Sequence, residues 1–230
     1  MVFHDDDLLH PEYIKSILSL ISNNPIADVI GCATSTFTNK PKKIRIKKLK
    51  YLNCRSKSQF VNELISGFPL SFCSVVYKTS SFLDNSFDHK KYGKIGDRPF
   101  VINMIKENGS GLLIKNKLIY TRLHKNQDSN KVISNNHNKH IYNHLKFYRD
   151  CLFENNHNQY KYNFHKRILY ISRDFYDWGI SKNLSFNQFL SEGIENGCFT
   201  KKEILYSRIY NYSLNPKFVL KRLLKCINII

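Results

Sequence analysis

The apolar positions of the chain switch between a helical and a strand period, and the switches predict a mixed α/β order of elements. Ile14, Ile17, Leu18 and Ile21 recur at helical spacing and predict a helix over 11–22 with these four on one face. Pro11 suits its first position, and Asn23-Asn24-Pro25 ends it. Residues 27–37 read as a buried strand, followed by a turn at 39–43. Residues 44–49 alternate imperfectly, as an edge strand would, with lysines blocking further pairing. A helix over 59–65 has Ser56 or Ser58 as its cap and closes at Gly67. A strand at 72–77 precedes a stretch, 80–91, of loop or short helix. Asp97 begins a further helix that turns Val101, Ile102 and Ile105 inward, with Pro99 in its first turn. Gly109-Ser110-Gly111 turns the chain into a strand over 112–120. The polar run 130–138 reads as a loop, and five helices follow, over 140–153, 165–178, 185–196, 201–212 and 216–230.

Composition narrows the class. A chain of 230 residues that is 42% hydrophobic and 13% aromatic can build a core. Its formal charge of +18 points to an anionic partner: nucleic acid, an anionic membrane surface or an anionic substrate. Abundant Lys, Asn, Ile, Tyr and Phe, as an AT-rich genome encodes, give a cheaper account of the same charge. The lysines of 40–50 read as a solvated surface, no nucleic-acid module accompanies them, and no nucleic acid is expected. Six scattered cysteines without a C-x-x-C pair exclude a zinc ribbon or redox motif and suit free thiols in a reducing cytosol. The N-terminus lacks a basic region followed by an apolar one, and no apolar run reaches the ~20 residues of a bilayer span. A cytoplasmic protein is expected, soluble or peripheral at the inner face of the cell membrane.

The candidate chemistry begins at Asp5-Asp6-Asp7. Three adjacent carboxylates repel one another, and a divalent ion with a taste for hard oxygen ligands relieves the repulsion. The plainer alternative is a solvated acidic turn ahead of the helix at Pro11. His137, His140 and His144 fall at spacings that align imidazoles on one helical face, as zinc requires, but their Asn-rich flanks favour solvent. Val219, Leu220, Leu223, Leu224 and Ile227 form an apolar stripe beside Lys217, Lys221, Arg222 and Lys225. Such a helix either lies on an anionic membrane or packs on its neighbours.

Three stretches together carry a resemblance. They are Phe3-His4-Asp5-Asp6-Asp7-Leu8-Leu9-His10-Pro11-Glu12, Lys91-Tyr92-Gly93-Lys94-Ile95-Gly96-Asp97-Arg98-Pro99-Phe100, and Tyr120-Thr121-Arg122-Leu123-His124-Lys125-Asn126-Gln127-Asp128-Ser129. In this order they resemble the family 2 glycosyltransferases of the GT-A type, over about residues 1–130. The resemblance implies an α/β fold: a partial, Rossmann-like GT-A domain over 1–130, then a helical extension over 131–230. It implies an inverting transfer of sugar from a nucleotide-sugar donor to a saccharide or lipid-linked acceptor, as in bacterial surface-polysaccharide synthesis. The implied cofactor is Mn²⁺ or Mg²⁺. Asp7 is the implied direct metal ligand, Asp5 meets the donor ribose or a metal-bound water, and Asp6 serves either role. His124 is a third ligand, or else a strand-end histidine bonded to backbone. Arg122 pairs with phosphate or forms a structural salt bridge.

Asp97 matches the catalytic base, against the alternative of a helix cap. Family members often carry two carboxylates here, whereas this chain has Gly96-Asp97-Arg98, and pairing with Arg98 would lower the Asp97 pKa. The acidic motif starts three residues after Met1, so the nucleotide-binding half that precedes it in the family is expected to be missing, or supplied by a separate chain. The competing classes are an inactive remnant or binding subunit and a basic nucleic-acid-binding protein.

Overall fold

The computed structural model describes residues 1, 4–124, 137–153, 164–165, 168 and 185–213. Five strands form one mixed sheet: β1 (Leu8–Leu9), β2 (Ala27–Phe37), β3 (Tyr51–Cys54), β4 (Leu70–Tyr77) and β5 (Ser110–Arg122). β5 is its spine. β2 runs parallel to β5 on one side, and β4 pairs antiparallel with β2 beyond it. On the other side β3 and β1 share the edge of β5, both antiparallel, β3 along Gly111–Ile114 and β1 along Ile119–Tyr120. The fold is α/β.

Period-two alternation sends successive residues to opposite faces. Val29 and Leu113 enter one core; Ile30, Leu112 and Ile114 enter the other. The second core is covered by α1 (Tyr13–Asn23) through Tyr13, Ile17 and Leu20. The first is larger. It takes α2 (Lys57–Ile65), the short α3 (Thr79–Leu83), then α5 (Asp97–Asn103) and α6 (His137–Phe153), and finally α7 (Phe186–Glu195) and α8 (Lys201–Ser213), while the short α4 (His89–Tyr92) lies against α6. Phe60 and Val61 of α2, Ile102 of α5, Leu145 and Leu152 of α6, Phe189 of α7 and Ile204 of α8 belong to this one cluster. The described helices after residue 130 therefore share the core of the sheet.

Several local expectations are settled by the caps. Ser56 caps α2, its hydroxyl accepting from the Gln59 N–H at 3.1 Å. Ser58 instead donates to the Cys151 carbonyl at 2.8 Å and fastens α2 to α6. Ser185 and Gln188 form a reciprocal capping box at α7. Thr200 and Glu203 do the same at α8: Glu203 accepts from the Thr200 N–H at 2.6 Å, and its N–H donates to the Thr200 hydroxyl at 3.2 Å.

Two expectations are corrected. Ile14, Leu18 and Ile21 are exposed on α1, and Ile17 alone of the expected face is buried; the inward row is Tyr13, Ile17 and Leu20. Residues 44–49 form no strand. Ile44, Ile46 and Leu49 do turn partly inward, but side chains hold the segment rather than a ladder. His10 Nε2 donates to the Ile44 carbonyl at 2.7 Å, and Asn116 brackets the segment by donating to the Lys48 carbonyl and accepting from the Lys50 N–H. The expected helices over 165–178 and 216–230 lie largely or wholly outside the described residues, and with the second goes the basic amphipathic stripe. No described helix is long and apolar enough to cross a membrane.

Gly93 joins α4 to the turn before α5 at φ +55°, and a β-carbon there would overlap the His140 imidazole of α6. Gly93→Ala is expected to destabilise by about 1–3 kcal/mol, combining backbone strain with the displaced ring. Urea unfolding measures this; an unchanged midpoint would show that α6 does not rest on this turn.

Candidate functional site

The parallel strands β2 and β5 end together, Phe37 opposite Arg122, and β1 begins beside them. Ligand-binding groups of open α/β sheets gather at such carboxyl ends. The register of Leu8 on Tyr120 sets Asp7 against the end of β5, where Asp7 Oδ1 accepts from the Arg122 N–H at 3.0 Å. The ladder between β2 and β4 is irregular between Gly31 and Ala33. That irregular stretch of β4 carries Cys73, whose thiol donates to Asp7 Oδ2 at 3.0 Å. Asp7 is buried, 4% exposed, with each carboxylate oxygen bonded to the protein. His4 Nδ1 lies 3.9 Å from Asp7 Oδ2.

Asp6 has the opposite environment. Its side chain is partly exposed, and Oδ2 lies 2.8 Å from His124 Nε2. The hydrogen bond from His124 holds the Asp6 carboxyl below the usual range, more than its slight desolvation raises it. Asp5 is exposed. Arg122 is exposed, with its guanidinium 5.4 Å from the centre of the Phe37 ring at the strand end.

Adjacent ligands on an octahedral ion with bonds of ~2.1 Å lie about 3 Å apart. Asp6 Oδ2 and His124 Nε2 meet that spacing with one oxygen and one imidazole nitrogen, both reachable from solvent. For a hard ion, the residue placed beside His124 is thus Asp6. The expected direct ligand, Asp7, faces inward, because its two oxygens tie β1 to β5 and β4.

Asp97 sits elsewhere in the fold. It is the first residue of α5, partly buried, and its Oδ1 accepts from the Arg98 N–H at 2.8 Å. Phe100, one turn on, packs against Phe72, the neighbour of Cys73 in β4. This contact links α5 to the strand that reaches Asp7. Burial pushes the Asp97 carboxyl up; the Arg98 charge pulls it down, as pairing with Arg98 was expected to do, but does not offset the burial. Arg98 also lies close enough to Tyr148 of α6 to interact with it electrostatically.

His140 and His144 of α6 meet different neighbours, and the His137 side chain lies outside the described residues. His144 is buried with its ring 4.5 Å from that of Tyr148, while His140 lies over Gly93. Burial pushes His144 well below the ordinary imidazole range.

Cys73, His4 and His10 had no role in the sequence reading. His10 accepts from the Glu12 N–H with Nδ1 and donates through Nε2, a neutral tautomer that fixes the turn between β1 and α1. A signal for His10 was its place just before Pro11 at a helix start. Nothing in the sequence pointed to Cys73, since its position depends on the irregularity in β4.

No family model matches the chain, and no curated protein matches it.

An acid with a raised folded pKa contributes stability below its unfolded pKa, and that contribution is lost as pH rises through the folded value. Asp97→Asn, which keeps the acceptor oxygen, is therefore expected to raise the melting temperature at pH 7 and to leave it unchanged near pH ~3, where the wild-type carboxyl is protonated. Equal shifts at both pH values would show that the Asp97 charge carries no burial cost.

Proposed function

We propose that this chain carries the metal- and acceptor-binding part of an inverting glycosyltransferase of the GT-A type. The single observation that supports the reading is the meeting of Asp6 and His124. They come from two motifs 118 residues apart and lie 2.8 Å from each other at a strand end, with Arg122 between them in sequence.

Asp6 and His124 hold Mn²⁺ or Mg²⁺ in this reading, and Asp5 meets the ribose or a water of the ion. The ion, when bound, neutralises charge on the departing nucleoside diphosphate. Arg122 pairs as a planar fork with the diphosphate oxygens. Asp97 takes the proton of the attacking acceptor hydroxyl, and the sugar carbon inverts in one displacement. The raised pKa of Asp97 suits that task, since a base of higher pKa holds the proton it receives more firmly. The acceptor is a saccharide or a lipid-linked saccharide of a surface polysaccharide, met at the inner face of the membrane. The positive surplus of the chain favours the anionic donor and an anionic bilayer alike.

Calorimetric titration with Mn²⁺ in the presence of a nucleoside diphosphate tests the reading. Binding is expected in the wild-type chain, with a loss of at least ~10-fold in Asp6→Ala and His124→Ala, the cost of one missing ligand. Affinity unchanged in both variants would contradict the assignment.

A further inference from the structure

Beside the Asp6–His124 pair, and separate from it, three ligand atoms of different character converge. Asp7 Oδ2, Cys73 Sγ and His4 Nδ1 all lie within 4.8 Å of one another, and the two separations to Asp7 are 3.0 Å for sulfur and 3.9 Å for nitrogen. Ligands around a tetrahedral zinc, with bonds of ~2.3 Å to sulfur and ~2.0–2.2 Å to nitrogen or oxygen, lie about 3.3–3.7 Å apart. The sulfur–oxygen separation lies below that range and the nitrogen–oxygen separation above it, so the exposed His4 ring moves inward to complete the set. We propose that His4, Asp7 and Cys73 form a binding site for a borderline-soft divalent ion of the zinc class, distinct from the hard-ion pair next to it.

The donor set makes the distinction. Mg²⁺ and Mn²⁺ prefer oxygen, and a thiolate ligand selects zinc or cobalt over them. The surroundings also orient the ligands, as metal sites require. The Arg122 N–H holds Asp7 Oδ1 and leaves Oδ2 directed at the cluster. With the Cys73 thiol donating to Asp7, the Ser71 hydroxyl at 3.0 Å donates to the sulfur, and it keeps doing so once the sulfur is a thiolate. Cys73 and Asp7 are buried, whereas the His4 side chain is 56% exposed. The ion enters from the His4 side, and its fourth position faces solvent there. On binding, the thiol proton that now bridges Cys73 and Asp7 leaves to the buffer, and the bonds to sulfur and carboxylate form in its place. Three segments become tied to one ion: the turn at His4, the start of β1 and the irregular part of β4. Occupancy fixes Asp7 while Asp6 stays with His124, so the two ions draw on adjacent residues without sharing a ligand.

Co²⁺ added to the full chain, followed by absorption, tests the site. A thiolate-to-cobalt charge-transfer band in the near ultraviolet is expected, abolished by stoichiometric Zn²⁺ and absent in Cys73→Ser. His4→Ala should weaken Co²⁺ affinity by at least ~10-fold, since loss of even an outer-shell partner costs that much, and Asp6→Ala should leave the band in place. Circular dichroism of metal-free Cys73→Ser separates loss of the ligand from loss of the fold. His4→Ala, an exposed change, gives a second reading if that variant does not fold. Cobalt bound without the band, or a band that survives in Cys73→Ser, would overturn the proposal. Because Asp6→Ala removes the Mn²⁺ site and spares this one, failure of either assignment is distinguishable from failure of the other.

Discussion

The buried carboxylate of Asp7 is the interaction on which the sheet end depends. A carboxylate removed from water is costly by several kcal/mol unless hydrogen bonds satisfy it. Here the Arg122 N–H and the Cys73 thiol do so from two different strands. β1 is two residues long and could not hold its place by ladder bonds alone. The Asp7 bonds, with the bond from the His10 N–H to the Leu118 carbonyl, fix it against β5. Turning Asp7 inward leaves its neighbour Asp6 at the surface beside His124. One residue thus supplies the anchor and the one before it the solvent-facing carboxylate.

The second constraint comes from α6. It packs on α2 and on the turn that contains Gly93, and it brings Tyr148 and His144 over Arg98. At the start of α5, desolvation outweighs the Arg98 charge in setting the direction of the Asp97 shift. The helices after residue 130 are consequently part of the environment of the proposed base, through a shared core rather than through a ligand.

Much of the architecture could be read from the chain. β2 matches its predicted bounds because a strand buried on both faces gives an unbroken apolar and small-residue run ending in a polar turn. α5 begins at Asp97 as expected. The faces of α1 were misread because Ile14, Leu18 and Ile21 satisfy helical spacing as well as Tyr13, Ile17 and Leu20 do; periodicity finds a helix and leaves open which of two apolar rows meets the core. Residues 44–49 alternate like a strand, yet the edge of β5 nearby is taken by β3 and β1, so their inward isoleucines pack without a ladder. In the acidic triplet the sequence distinguishes nothing: which of three aspartates is buried follows from the register of β1 on β5 and from Cys73, 66 residues away. The net direction of the Asp97 shift was not legible for a related reason: Arg98 is visible as a neighbour in sequence, while the burial that opposes it depends on tertiary packing.

The central claim is that Asp6 and His124 hold the functional ion while Asp7 holds the strands. Nuclear magnetic resonance of the histidine side chains during Mn²⁺ addition tests it most directly, because the paramagnetic ion broadens signals steeply with proximity. The account predicts that His124 ring resonances disappear at sub-stoichiometric Mn²⁺ while those of buried His144 persist, and that Asp6→Ala abolishes the selectivity. Selective broadening of His124 that survives in Asp6→Ala, or no selectivity among the histidines in the wild-type chain, would contradict it.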